Sequence, residues 1–424
     1  MLRSDDWRNF VAMAVVLPVA GPLRSAWATR LDGFTVDEPW HITAAVAYLR
    51  TGEYFLNPEH PPLIKLLVAL PLTQGTFHST EPGSLHDKRE ERDFVQAVMY
   101  TQNEADSIHT CTRRSMYFFN GFLLIFFAIS AFRVFGGVIA LGSLVFLLMD
   151  PTVAAHWPVV MTDLPVALLS ATSVLFLIAT LRQWTTLNLL FLALSFGLTL
   201  STKHSGAISV GLTAAIGFTV LLWQNRADKH ALLRKSAVFG FVLIASVAIL
   251  WSTYRFHYNE GGPVDTFNRP LAEKIADVRS PVWRTGLNAV SQWHLLPRSY
   301  VWGLADIVRA GMEGRAYSTY AFGHLSFMQW RPSIFPGYAV VKLPIPLLFL
   351  SVGVVIAFAG KTPRSDKTAL VPHLLLALLV LLVLANSAAD YAGVRHALTV
   401  YVVLAVLSAF AFRRLLSLRQ QVSA

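Results

Sequence analysis

Long apolar runs return along the whole of this chain, each close to the length that carries a helix across about 30 Å of hydrocarbon. They fall at residues 11–28, 117–132, 134–149, 160–181, 187–200, 207–223, 237–251, 337–358, 370–385 and 397–412. A water-soluble α/β protein has no use for so many. The composition agrees: of the 424 residues 54% are hydrophobic and 14% charged, with mean hydropathy +0.50, whereas a soluble domain averages about 25% charged. The expectation is an all-α integral membrane protein of about ten transmembrane helices. The formal net charge is +10, but the Lys and Arg residues punctuate the ends of the apolar runs instead of forming an aromatic-interleaved basic patch, so no nucleic-acid partner is expected. The single cysteine, Cys111, excludes an intramolecular disulfide and a cysteine-based metal cluster.

Orientation follows from the basic residues in short connections, since long loops translocate largely regardless of charge. With the N-terminus inside, the cytoplasmic segments carry Arg3, Arg8, Arg133, Arg182, Arg226, Lys229, Arg234, Lys235, Lys361, Arg364, Lys367, Arg413, Arg414 and Arg419. The short outer connections hold only Lys203 and Arg395. Both termini are therefore expected inside, leaving two long hydrophilic segments, 29–116 and 252–336, as non-cytoplasmic loops where function should be sought. Arg3 and Arg8 followed by a short apolar run ending Ala26-Trp27-Ala28 also resemble a cleavable signal peptide, and cleavage would leave the next loop outside all the same. No fixed-period repeat or linker divides the sequence, so 1–424 reads as one membrane-embedded domain.

The first loop opens with the adjacent acids Asp37 and Glu38. Such a pair is either simply solvated or supplies a general base and an orienting group. An amphipathic segment from Trp40 to Tyr48 follows, then Leu49-Arg50-Thr51-Gly52-Glu53, then Asn57-Pro58-Glu59-His60-Pro61-Pro62-Leu63-Ile64-Lys65. The two prolines fix the backbone after His60 and so aim its side chain, while Lys65 begins a segment suited to the interface. Asp163 stands at the head of an apolar run, which is costly unless the acid is paired, hydrated or bound to a cation. It either caps its helix ahead of Pro165 or belongs to a site with Asp150 and His156, where a divalent cation is left open. In the second loop Trp283, Trp293, Trp302, His294, His324, Tyr317, Tyr320 and Trp330-Arg331-Pro332 could stack on sugars or form an interfacial belt.

An early outer loop holding D-E, then Y-L-R-T-G-E, then N-P-E-H-P-P-L-x-K resembles the GT-C class of membrane glycosyltransferases, which use lipid-phosphate-linked sugars and include protein O-mannosyltransferases and lipid A aminoarabinose transferases. Further matches follow in the expected order: Thr162-Asp163-Leu164-Pro165, Lys203-His204-Ser205-Gly206, the stretch from Phe335-Pro336-Gly337 to Pro344-Ile345-Pro346, and Gly393-Val394-Arg395-His396. The resemblance implies an inverting transfer in which a carboxylate deprotonates the acceptor and polyprenyl or dolichyl phosphate departs. By position Asp37 matches the catalytic acid, with Glu38 orienting acceptor or sugar. Arg113, Arg114, Lys203 and Arg395 would bind the donor phosphate, Arg being suited to bidentate contact, with interface snorkelling as the alternative. His60, Lys65, Asp163 and His396 would position donor or acceptor. The implied partners are a lipid-phosphate-linked sugar, an acceptor that is a protein, lipid or glycan, and membrane lipids, in a bacterial inner membrane with the site facing outward. The rival readings are a secondary transporter and a non-catalytic membrane subunit with the same fold, but no internal repeat is visible and the ionisable residues cluster at one face.

The orientation is testable with single cysteines in a Cys111→Ser background. An impermeant thiol reagent applied to sealed cells should label positions in 29–116 and 252–336 and spare 226–235, and labelling of 226–235 would overturn the assignment.

Overall fold

The computed structural model describes residues 4–72, 76–261, 267–314, 318–327, 334–345, 348, 364–385 and 389–422. The chain begins with α1 (Ser4–Ala28), and the first hydrophilic segment folds into α2 (Glu38–Thr51), α3 (Leu63–Ala69) and α4 (Lys88–Tyr100). Then come α5 (Ala105–Phe135), α6 (Gly137–Met149), α7 (Pro151–His156), α8 (Asp163–Arg182), α9 (Thr186–Thr202), α10 (Ser205–Gln224) and α11 (Lys229–Thr253). The second hydrophilic segment forms α12 (Leu271–Ala276), α13 (Pro281–Gln292) and α14 (Arg298–Asp306), which runs into a π turn, Ile307–Met312. A small antiparallel hairpin, β1 (Ser318–Ala321) with β2 (His324–Phe327), is the one exception to helix among the described residues. The chain closes with α15 (Ile334–Lys342), α16 (Arg364–Ala385), a 3-10 segment (Ala389–Ala397) and α17 (Leu398–Val422).

Six helices among the described residues are long and apolar enough to cross a membrane: Ala105–Phe135, Asp163–Arg182, Ser205–Gln224, Lys229–Thr253, Arg364–Leu384 and Gly393–Leu415. They answer six of the ten expected spans. Three further expected spans answer to shorter apolar stretches, Met13–Ala28 within the 25-residue α1, and the helices Gly137–Met149 and Thr186–Thr202. At a 1.5 Å rise per residue, a helix like Gly137–Met149 covers about 20 Å, less than the hydrocarbon thickness. A hydropathy window reads apolar content and does not see where the helix stops. The expected span 337–358 lies largely outside the described residues.

The bundle is built around α8, where every residue from Asp163 to Thr180 is buried, as befits a helix apolar on all sides. It packs against α5, α9, α10 and α17, while α10 and α11 leave most of their surface outward. Between α5 and α6 the chain reverses at Gly136, whose φ of +83° suits a residue without a Cβ.

The two hydrophilic segments meet at one end of this bundle and share an apolar core. Tyr48, Tyr54, Phe55 and Leu56 from the first pack with Tyr254, Phe267, Leu271, Tyr300 and Trp302 from the second. The Ser299 hydroxyl donates to the Tyr54 carbonyl at 2.8 Å, Arg255 Nη2 to the Leu49 carbonyl at 2.8 Å, and Asn268 Nδ2 to Glu91 Oε2 at 2.7 Å. Trp302 belongs to this core, and its indole N–H donates to the Arg269 carbonyl. Trp283, Trp293 and Tyr320 are exposed, and Tyr317 and Trp330-Arg331-Pro332 lie outside the described residues.

Gly303 sets the approach of α14. A Cβ there would overlap the Pro58 carbonyl of the first segment and the His204 ring at the α9–α10 turn. Gly303→Ala should therefore cost about 1–3 kcal/mol through overpacking, read as a lowered melting temperature in detergent. Gly286→Ala on α13 has open space around the added carbon and should leave the melting temperature unchanged or slightly raised; equal behaviour of the two would remove the close-approach argument.

Candidate functional site

Asp37 occupies the N-cap position of α2, yet its carboxylate makes no capping bond to that helix. It accepts a hydrogen bond from Arg395 Nη1 at 2.9 Å, across most of the chain length. Arg395 sits in the 3-10 segment, which is kinked at Gly393 with φ +65°. The side chains of Arg395 and Asp37 are 30% and 37% exposed, so both remain open to a ligand.

Its neighbour Glu38 faces the other way. The Glu38 carboxylate is fully buried and takes Arg113 Nε at 3.2 Å on one oxygen and Arg113 Nη2 at 3.0 Å on the other. The backbone N–H groups of Thr35 and Val160 complete it at 2.7 and 3.0 Å. A carboxylate with this many donors has no lone pair to offer an acceptor. Glu38 and Arg113 are thus brought to each other and not to the main cavity, contrary to the expectation for both.

Asp163 begins α8, and its Oδ1 takes the Lys203 ammonium at 2.5 Å, while its Oδ2 is buried without a hydrogen-bond partner. Lys203 lies between α9 and α10, so this ion pair ties the head of α8 to that turn. The preceding hydroxyl, Thr162 Oγ1, stands 3.5 Å from His60 Nδ1, and the His60 ring is 4.8 Å from that of His41.

Residues 57–60 form the floor on which these groups meet. Asn57 adopts φ +50°, a left-handed conformation that Asn tolerates better than most residues. Lys65 is buried beneath and donates to the carbonyls of Asn57 and His60 and, at 3.1 Å, to the Tyr48 hydroxyl. Burial pushes its ammonium down to about 7. The expected positioning role for Lys65 is thus indirect: it clamps the backbone of the floor and does not line the cavity. Glu59 pairs with Lys88 at 2.6 Å, and Lys88 also reaches Glu91 at 3.0 Å and the face of Trp40. Burial works to raise the Glu59 carboxyl, but the Lys88 ammonium outweighs it and holds the group at about 2.

Above this floor lies a cavity of about 370 Å³. Asp37, His60, Asp163, Lys203, Arg395 and His396 all line it, so most of the residues singled out by sequence converge. Val166 of α8, Ile208 of α10 and Val380, Val383 and Leu384 of α16 make an apolar wall, and the π turn contributes Ile307, Ala310 and Met312. π turns recur at functional sites. A second cavity of about 300 Å³ is lined by Arg113, His156, Met161, Asp163 and Arg395, so the two meet at Met161, Asp163 and Arg395. Arg114 is exposed on α5 and lines neither.

Sequence reasoning missed His41, Lys88 and Asp306, which line the cavity too. The last is paired with Lys274 at 2.6 Å. The apolar surroundings of His41 within α2 give it the look of a core residue in sequence.

The acids left open as cation ligands each have a partner within the protein. Asp37 and Asp163 each already face a cationic side chain, and the Asp150 carboxylate caps α7 through the N–H groups of Thr152 and Val153 at 2.7 and 3.0 Å. Among the described residues no group of three His, Cys, Asp or Glu is arranged to hold a metal.

No protein-family model matches the sequence, and no curated protein matches it. Solved structures do match by shape. ArnT from Cupriavidus metallidurans, bound to undecaprenyl phosphate, superposes with TM-score 0.53 over 97% of this chain at 13% identity, covering 61% of its own length. The Archaeoglobus fulgidus oligosaccharyltransferase matches in its apo form with TM-score 0.55, 13% identity, and 97% of this chain against 52% of its own. The archaeal oligosaccharyltransferase AglB from Archaeoglobus fulgidus, in complex with an inhibitory peptide and a dolichol-phosphate, gives TM-score 0.56 at 14% identity, over 96% of this chain and 51% of its own. The fold is that of GT-C glycosyltransferases. The chain is accordingly an integral membrane protein, and it spans about half to three fifths of the length of the GT-C proteins it matches. Identity this low speaks for the GT-C fold alone.

The contrast between the adjacent acids yields a test. Glu38→Gln strands Arg113 in a buried site and should cost about 3–5 kcal/mol of stability, whereas Asp37→Asn, at a partly exposed pair, should cost under about 1 kcal/mol. Thermal unfolding in detergent separates them; equal melting temperatures would contradict the division of labour.

Proposed function

We propose that the chain transfers a sugar from a polyprenyl- or dolichyl-phosphate donor to an acceptor hydroxyl on the non-cytoplasmic side, with inversion, and with Asp37 as general base. The observation that carries this reading is the meeting of Asp37, Arg395, Lys203 and His396 on one cavity that also has an apolar wall of Val166, Ile208, Val380, Val383 and Leu384. A lipid phosphate needs both kinds of surface at once. That proteins of the same fold were solved with undecaprenyl phosphate and dolichol-phosphate supports the donor class.

In this mechanism the acceptor hydroxyl gives its proton to Asp37 as its oxygen attacks the anomeric carbon. The bond from that carbon to the phosphate oxygen breaks on the opposite face, and the lipid phosphate leaves with one additional negative charge. Arg395 offers a planar fork and a charge that survives any working pH. Lys203, held in place by Asp163, adds a second fixed cation. His60 and His396 border the space between base and phosphate. Asp37 suits a base because its carboxylate lines the cavity and is 37% exposed, within reach of an entering hydroxyl. Under this reading the site faces outward from a bacterial inner membrane, an orientation that the distribution of basic residues supports, and the 252–336 segment covers the cavity and shapes acceptor choice.

The test incubates membranes with a panel of radiolabelled polyprenyl-phosphate sugars and follows label into protein, lipid or glycan. Asp37→Asn should insert normally and lose roughly 10²-fold or more in transfer, and Arg395→Ala should impair donor use more than Arg395→Lys. Near-normal transfer by Asp37→Asn together with loss in a well-folded Asp163→Asn would move the base to Asp163.

A further inference from the structure

Four residues that line the main cavity each hold a polar atom buried without a hydrogen-bond partner: His41 Nδ1, Asn57 Oδ1, Asp163 Oδ2 and His204 Nδ1. The four residues are between 1% and 6% exposed. Buried polar atoms are nearly always paired in folded proteins, and leaving one unpaired is expensive. Four such atoms lining one cavity point to a ligand that completes them.

Their chemistry specifies what that ligand must bring. Asn57 Oδ1 and Asp163 Oδ2 only accept. His204 Nε2 stands 3.3 Å from the Pro58 carbonyl, which cannot donate, so Nε2 carries the ring proton. Burial keeps the His204 ring neutral, with its pKa lowered to about 3, so Nδ1 is a bare acceptor. His41 is held neutral in the same way, by burial and then by Lys65, and its Nδ1 can serve in either role. The four are gathered on one short segment. Asn57 begins it, His204 bonds to Pro58, the His41 ring packs on His60, and Thr162 beside Asp163 reaches the same His60 ring. An acceptor-rich floor repels phosphate and carboxylate alike, because neither offers more than a single proton. It matches a ring of hydroxyls, each of which donates.

We propose that His41, Asn57, Asp163 and His204 form the sugar-reading floor of the cavity, selecting an uncharged, hydroxyl-rich hexose over a uronic acid. The cations Arg395 and Lys203 hold the phosphate beside it, so the cavity is divided into a donor-lined half for phosphate and an acceptor-lined half for sugar. This inference rests on the reading of the chain as a lipid-phosphosugar transferase.

The test is isothermal titration calorimetry on the full-length protein in detergent with farnesyl phosphate alone and with farnesyl phosphate carrying glucose, mannose or glucuronic acid. At least one neutral hexose should bind roughly tenfold tighter than farnesyl phosphate alone, and the glucuronate, which exchanges one hydroxyl for a carboxylate, should bind more weakly than that hexose. His41→Phe keeps the ring shape and removes the unpaired nitrogen. It should weaken the neutral-hexose ligand by about 5- to 30-fold while farnesyl phosphate affinity stays within about twofold, which also reports an intact fold. Farnesyl phosphate binding with no gain from any neutral hexose, or glucuronate matching the best hexose, overturns the floor and leaves the transferase reading standing. No binding of farnesyl phosphate or of any sugar-bearing form to the wild-type protein overturns both. Should His41→Phe fail to bind farnesyl phosphate at all, the wild-type comparison of hexose with glucuronate decides.

Discussion

The buried ion pair between Glu38 and Arg113 ties three parts of the chain with one carboxylate: the start of α2, the first half of α5, and the backbone at Val160 just ahead of α8. A charge removed from water this completely is tolerated only because two guanidinium nitrogens and two backbone donors surround it. Once Glu38 is locked inward, the next residue back along the chain has little freedom. Asp37 is turned toward the cavity and Arg395, and α2 carries Trp40 and His41 into position behind it. The geometry of the site therefore depends on a residue that does not touch its cavity.

A second buried cation plays the same kind of part on the floor. Lys65 gathers the carbonyls of Asn57 and His60 and so holds a segment that includes a left-handed Asn. Above it, the close approach of Gly303 presses the second hydrophilic segment onto Pro58 and His204. Floor, turn and cover are thus mutually braced, which under the proposed function suits a site that must hold reacting groups within a fraction of an ångström.

Much of this was legible in the sequence for simple reasons. Apolar runs of full length gave α5, α8, α10, α11, α16 and α17, because hydrophobic content and helix length are both local properties. Asp37, His60, Asp163, Lys203, Arg395 and His396 could be picked out as chemistry-bearing residues near span ends, and they do line one cavity. What stayed hidden is whatever a distant partner decides. Asp37 and Glu38 look alike in sequence, and only Arg113, 75 positions from Glu38, tells them apart. The Glu59–Lys88 pair joins residues 29 apart in different elements. Helix length escaped for a related reason: α6 and α9 are as apolar as a span but end early where Gly136, Asp150 and Lys203 turn the chain.

The bond between Asp37 and Arg395 couples two groups whose tasks, under the proposed function, belong to different substrates. An incoming phosphodiester competes with Asp37 for the same guanidinium, so each anion that docks loosens the grip on the carboxylate. A hydroxyl that enters first meets a base whose lone pairs are already engaged; one that enters second meets a base just released. The pair thus acts as an interlock that favours an ordered sequence, lipid before acceptor, and keeps the carboxylate quiet in the intervals between turnovers.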